Sequence, residues 1–290
     1  MHIPVLLDKV LEYLNPKPGE NFIDCTIGIG GHAKAILERT TPNGKLLGID
    51  IDPASLKRIE PRERLILAHG NFKELKEIIK ENNFLAVNGI LFDLGLSNWQ
   101  IEESGKGFTY KKDEPLIMIL NGKQEVTAEE IINSWPEESL VEIFKNYAEE
   151  KYSRKIVTEI VKQRKLAPIK TTFQLKNIIK KVIPFSLTRR GTLSRVLARI
   201  FQALRIVIND ELENLKSGLE QSMDILAPEG KIVVISFHSL EDRIVKNFFK
   251  EQQTQGRLKI LTDKPVIADE IEISMNYRSR SAKLRAAIKI

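Results

Sequence analysis

Apolar residues along this chain follow two periodicities, and the switch from one to the other divides it. Short β-branched runs at Phe22–Cys25, Leu46–Asp50, Leu65–Ala68, Ile90–Asp93 and Ile232–Ser236 are each followed by helix-compatible sequence. Strand alternating with helix predicts a mostly parallel sheet in an α/β fold. The fourth and fifth runs are separated by about 135 residues, against the roughly 4–6 of an ordinary connection, so a module is expected between them. Within it, apolar positions recur every 3.6 residues over Ala128–Asn133, Glu137–Tyr147, Tyr152–Lys165, Phe173–Val182 and Leu193–Leu226. That spacing predicts an all-helical insertion over residues 101–200, carried by a core made of 1–100 and 201–290. Pro228-Glu229-Gly230 reads as a stop that ends a helix over Asn209–Leu226 and returns the chain to the sheet. Leu258–Leu261 and Leu284–Ile290 read as the last two strands.

With 42% hydrophobic and 29% charged residues the chain lies far from the composition of disordered proteins. Its longest apolar runs, Ala86–Leu96 and Lys231–Phe237, fall short of the ~20 residues of a membrane span, and Met1-His2-Ile3-Pro4 lacks the features of a secretory signal. A cytoplasmic location is expected. One cysteine, Cys25, excludes internal disulfides, and the four histidines, His2, His32, His69 and His238, have no metal-ligand spacing, so no structural metal is expected.

The net charge of +6 is unevenly distributed. Lys151–Arg205 carries 15 Lys and Arg against one acid, Glu159, a net of +14, while the other 235 residues sum to −8. Residues 101–150 hold 12 acids against five bases, which suggests two faces or two roles. A one-signed field of this kind attracts phosphate backbones, and nucleic acid is the expected partner. A solvated helix face or an acidic partner surface would show the same charge.

Asp24-Cys25-Thr26-Ile27-Gly28-Ile29-Gly30-Gly31-His32 follows the first strand and opens a helix. Glycines there permit positive φ and close approach of a ligand to backbone and helix N-terminus. Asp50 ends the second strand, where a carboxylate can accept both hydroxyls of a ribose. Gly28-x-Gly30-x-x-Ala33 also satisfies the dinucleotide fingerprint, so a nicotinamide-dependent oxidoreductase stands as an alternative. Asp24 favours S-adenosylmethionine, because it can meet the donor's amino-acid end and would repel a pyrophosphate. No Gly-Lys-Ser/Thr follows the glycines, which excludes a Walker-type phosphate loop.

Two later motifs, Asp93-Leu94-Gly95-Leu96-Ser97-Asn98-Trp99-Gln100 and Ser236-Phe237-His238-Ser239-Leu240-Glu241-Asp242-Arg243, lie at the carboxyl ends of strands, where open α/β sheets bind ligands. Capping and helix-dipole matching would also account for His238, Glu241 and Asp242. Asn276–Arg285 is dense in phosphate-binding side chains.

These stretches, with Ile3-Pro4-Val5-Leu6-Leu7 and Phe201-Gln202-Ala203-Leu204-Arg205, resemble the small-subunit (16S) ribosomal RNA cytosine-N4 methyltransferase family from end to end. The resemblance implies a Rossmann-like methyltransferase core with a helical substrate-recognition insertion, acting on the exocyclic amine of a cytidine in the decoding region of free rRNA or the assembled small subunit. The family's cofactor residues fall on Gly30, Gly31, His32, Asp50, Phe72, Asp93 and Gln100. An acceptor for an amine N–H is needed to localise its lone pair, and Asp93 or the Leu94–Ser97 backbone is placed for it, with His238 and Asp242 as alternative or supporting groups. Relatives carry Asp-Met-Arg-Met-Asp where this chain reads Ile117-Met118-Ile119-Leu120-Asn121, a glycine at Ala148, and a His-Pro-Ala-Thr-type run at Arg195-Val196-Leu197-Ala198. Replacing charges by apolar residues implies local repacking, and a non-catalytic ribosome-binding relative is the remaining alternative.

Overall fold

The computed structural model describes residues 3–121, 126–184 and 191–290. The chain forms two compact units, Met1–Gly95 with Leu212–Ile290, and Leu96–Glu211.

The first unit is built on a seven-stranded sheet ordered β3-β2-β1-β4-β5-β7-β6. The strands are β1 (Asn21–Asp24), β2 (Leu46–Asp50), β3 (Leu65–His69), β4 (Val87–Asp93), β5 (Leu226–Ser236), β6 (Leu258–Ile260) and β7 (Lys283–Lys289). β1 to β5 are parallel, while β7 runs antiparallel to β5 and to β6. Side chains alternate across each strand: Ile23, Leu47, Ile90, Phe92 and Val234 enter one core with Leu215, Leu219 and Phe249. Phe22, Leu46, Leu91, Val233 and Ile235 enter the other with Val10, Leu14 and Ile36. A parallel sheet covered on both faces needs apolar residues at successive positions, which is why these strands read as short continuous apolar runs.

The return to the sheet differs from expectation. Helix Thr192–Asn209 stops at Asp210, which is left-handed with φ 50°, and a second helix, Glu211–Ile225, follows, so Leu193–Leu226 is two helices. Pro228-Glu229-Gly230 does not end the helix, because β5 has already begun at Leu226. Leu226 pairs with Val87 and Lys231 with Gly89, so these residues bulge out of the ladder opposite Asn88, with Glu229 at φ 62°.

The second unit is helical among its described residues: Asn98–Glu102, Ala128–Ser134, Glu137–Asn146, Ser153–Arg164, Thr172–Val182 and Thr192–Asn209. Threonines 127 and 171 cap two of these, the latter in a reciprocal capping box with Gln174. The acidic and basic segments meet at two ion pairs. Glu138 forms two hydrogen bonds to Arg154, and buried Glu150 pairs with Arg199.

The altered 117–121 segment is repacked into this unit: Met118, Ile119 and Leu120 are all buried. Asn209 clamps it, accepting the Leu120 N–H (3.0 Å) and donating to the Met118 carbonyl (2.9 Å). Ala148 needs no glycine-like backbone, since the positive φ falls on the next residue, Glu149 (47°). Asn209→Ala orphans both of these backbone groups and is expected to cost about 1–3 kcal/mol, read as a lowered urea midpoint at unchanged m-value.

No described helix is long and apolar enough to cross a membrane.

Candidate functional site

From β1 the chain builds outward through β2 and β3, then returns to place β4 on the other side of β1. That reversal opens a crevice at the carboxyl ends of β1 and β4. Asp24 ends β1, Asp50 ends β2, Asp93 ends β4 and Ser236 ends β5.

The glycine loop between β1 and helix Gly31–Arg39 is held from below by its own amides. The Thr26 N–H donates to Asp24 Oδ1 (3.1 Å), Ile27 to the Ile49 carbonyl (2.9 Å) and Gly28 to Asp50 Oδ2 (2.9 Å). Gly28 and Gly30 turn the chain at φ 55° and 81°, where a side chain would be strained. Gly31 is required for a different reason: a Cβ there would lie 2.6 Å from Pro4 Cγ. Ile3-Pro4-Val5 therefore lies directly on the start of this helix. The Val5 carbonyl accepts a hydrogen bond from His32 Nε2–H (2.9 Å), which leaves His32 Nδ1 facing Asp93 Oδ2 at 3.7 Å.

Thr26 joins the two lips of the crevice, its Oγ1 accepting the Asp93 N–H at 2.7 Å. Little in the sequence distinguishes Thr26: its one signal is a hydroxyl two residues beyond a strand-ending aspartate.

The site is strongly acidic. Burial raises the Asp24 carboxyl to about 7, with the charge of Asp50 adding to it and the Thr26 N–H opposing it. Burial likewise raises Asp50 to about 6 against hydrogen bonds from Asp52 and Gly28. Asp93 stands well above the carboxylate range through burial, reinforced by Asp24 and Glu241. Asp93 Oδ1 is buried with no hydrogen-bond partner, and so is Ser236 Oγ at the end of β5. Two buried carboxylates beside the half-buried Asp93, one of whose oxygens is unused, favour a ligand that brings positive charge and N–H donors.

The structure thus gathers Gly30, Gly31, His32, Asp50 and Asp93 at one end of the sheet. Phe72, just beyond β3, packs edge-on to Phe92 of β4, ring centroids 5.5 Å apart. Gln100 belongs to the second unit, where it completes a capping box with Ser97 at the start of helix Asn98–Glu102.

The other two expected catalytic residues have structural duties. His238 caps helix Ser239–Thr254, its Nδ1 accepting the Glu241 N–H at 3.3 Å, while Glu241 Oε2 takes the N–H groups of Phe237 (2.8 Å) and His238 (3.2 Å). Asp242 is committed to Arg285, at 2.6 Å and 3.3 Å, with Lys283 at 3.8 Å. This ion pair locks the Ser236–Arg243 motif onto β7.

Comparison with known proteins agrees over the whole length. Three curated relatives bear the name ribosomal RNA small subunit methyltransferase H. The protein of Clostridium botulinum (strain Loch Maree / Type A3) is 42% identical over 308 residues, and that of Heliobacterium mobile 42% over 310. That of Geobacter sulfurreducens is 44% identical over 315 residues, and each alignment covers 100% of this chain and 99% of the relative. The family model described as the MraW methylase family matches residues 1–290, and the chain belongs to that family.

Proposed function

We propose that the chain transfers a methyl group from S-adenosylmethionine to the N4 amine of a cytidine in small-subunit ribosomal RNA. The observation that carries this reading is the group of carboxylates at the crevice between β1 and β4, buried Asp24 and Asp50 with half-buried Asp93, the last with an unused acceptor oxygen. S-adenosylmethionine fits such a site, since it is cationic at both its sulfonium and its α-ammonium. A pyrophosphate suits it less, because it would bring further negative charge beside Asp24, Asp50 and Asp93, and the amides of Thr26, Ile27 and Gly28 are already donated to the protein. The nicotinamide-dependent alternative therefore has support neither from the site nor from the relatives.

The bound donor would supply a methyl group activated by positive sulfur. Asp24 and Asp93 would face its amino-acid end, Asp50 has lone pairs left for ribose hydroxyls, and Gly30, Gly31 and His32 shape the opening beside it. Asp93 regains its carboxylate form when positive charge is placed near it. It can then accept an N–H of the target amine and localise the nitrogen lone pair for in-line attack. Thr26 and His32 position Asp93, and Arg285 positions the helix carrying Asp242.

The target base must be unpaired to reach a pocket of this kind. The second unit is the proposed recognition module. Lys155, Lys162, Lys165, Lys180 and Lys181, on or just beyond helices Ser153–Arg164 and Thr172–Val182, are exposed and suited to phosphates. RNA affinity measured by filter binding is expected to fall about 10²–10³-fold between 50 and 200 mM salt. A salt-independent affinity would remove the phosphate-grip reading.

The deciding experiment transfers labelled methyl from S-adenosylmethionine to small subunits lacking their native modifications, with free rRNA in parallel and nucleoside mass spectrometry of the product. N4-methylcytidine is the expected product. Another methylated nucleoside would correct the target, and no transfer to either substrate would reject the reading. Stabilisation against heating by S-adenosylhomocysteine and not by NAD is the accompanying check on the donor.

A further inference from the structure

We infer that Tyr277 and Arg280 form a stacking platform beside the crevice for an unpaired nucleotide next to the target base. This rests on the proposed RNA substrate and adds to it a binding position on the sheet-bearing unit. Tyr277 is 68% exposed, unusual for so large a ring, and the Arg280 guanidinium lies 5.0 Å from its centroid. Both belong to the short 3₁₀ turn Tyr277–Ser281.

The turn is held on its inner side. Asn276 Oδ1 accepts the Arg278 N–H (3.3 Å), Ser279 Oγ donates to the Asn276 carbonyl (2.7 Å), and Ser279 is fully buried. A ring held this way is presented to solvent at little cost in entropy on binding.

Its place follows from one further contact. Asn276 Nδ2 donates to the Ile3 carbonyl at 3.0 Å, and Leu6 N–H donates to Glu272 Oε1 at 2.6 Å. Ile3–Leu6 is the segment whose Pro4 lies on Gly31 and whose Val5 holds His32. One short strand of chain thus links the platform to the mouth of the glycine loop, where Ile29 is itself 44% exposed. The charge is also suitable. Arg285 and Lys283 are occupied with Asp242, whereas Arg280 is exposed and, among the described residues, contacts only the Tyr277 ring. An exposed aromatic face with an adjacent guanidinium is the usual receptor for a splayed base and its phosphate. Ile271 and Met275 are exposed on the preceding helix Glu270–Met275.

The test compares Tyr277→Ala, Tyr277→Phe and Arg280→Ala with the unsubstituted protein in methyl transfer to unmodified small subunits. Loss of one stacked base is worth roughly 5- to 100-fold, so Tyr277→Ala is expected to raise KM by about tenfold with kcat little changed. Tyr277→Phe, which keeps the ring, is expected to restore KM, and Arg280→Ala to weaken RNA binding and flatten its salt dependence by about one counterion. S-adenosylhomocysteine affinity and thermal midpoint are expected to stay at their unsubstituted values in all three. A normal KM for Tyr277→Ala overturns the platform while leaving the methyltransferase reading in place. Equal loss in Tyr277→Ala and Tyr277→Phe overturns it in favour of a hydroxyl contact. Absence of methyl transfer by the unsubstituted protein overturns the RNA reading and the platform with it.

Discussion

Asp93→Asn is expected to lower methyl transfer by about 10²–10⁴-fold, the usual contribution of a positioned proton acceptor, while leaving the fold intact. The fold is spared because asparagine has the same shape and the bond that ties β4 to the glycine loop runs from the Asp93 backbone N–H to Thr26 Oγ1. The reaction suffers because the carboxylate brings negative charge and an unused oxygen to the crevice, and an amide brings neither the charge nor the basicity. The pH profile separates this from simple misplacement. With Asp93 raised well above the carboxylate range by burial and by its acidic neighbours, kcat/KM of the unsubstituted protein is expected to fall on the acid side as the group takes a proton. The small residual activity of Asp93→Asn is expected to lose that dependence. A variant that retains activity within threefold would move the acceptor role elsewhere, with the Leu94–Ser97 backbone carbonyls as the next groups to test.

Asp24→Asn is expected to act in opposite directions on stability and on donor binding. The Asp24 carboxyl is raised by burial to about 7 from an ordinary value near 3.8. Between those values the folded chain holds a proton that the unfolded chain has lost. The stabilisation from the neutral group is therefore complete below pH ~4 and lost as pH rises through ~7, beyond which the fold carries a buried charge. A displacement of about three units corresponds to an upper bound of about 4 kcal/mol. Without ligand, Asp24→Asn is thus expected to be more stable than the unsubstituted protein by about 2–4 kcal/mol at pH 8, with the gap closing toward pH 4. Urea unfolding at the two pH values measures it. S-adenosylmethionine is expected to protect the unsubstituted protein at pH 8 and to lose most of that protection in the variant, since the buried charge is kept for a cationic ligand. A variant less stable than the parent at pH 8 would show that Asp24 is ionised and paired in the folded protein.

Much of this molecule was legible from local pattern. Parallel strands buried on both faces must be short apolar runs, and amphipathic helices must repeat at 3.6 residues, so both periodicities locate their elements without knowledge of what packs on them. The strand-end positions of Asp24, Asp50 and Asp93 were legible for the same reason, since each closes such a run and precedes a turn. Charge totals over a segment were legible too, but their meaning was not. The acids of 101–150 and the bases beyond 151 read as two faces or two roles, and the fold joins the segments at Glu138–Arg154 and Glu150–Arg199.

What stayed hidden depends on neighbours distant in sequence. Apolar spacing continues across Asp210, so periodicity could not show the left-handed residue that ends one helix and lets another begin. Pro228-Glu229-Gly230 carries the composition of a helix stop, yet pairing of its flanks with β4 makes it a bulge within a strand. The partner of Asp242 is Arg285, 43 residues away, which no local pattern reveals. Strand ends are encoded locally, so the positions of Asp24, Asp50 and Asp93 could be read in advance. That Asp93 Oδ1 has no hydrogen-bond partner could not, because partners are set by distances between segments that no local pattern encodes.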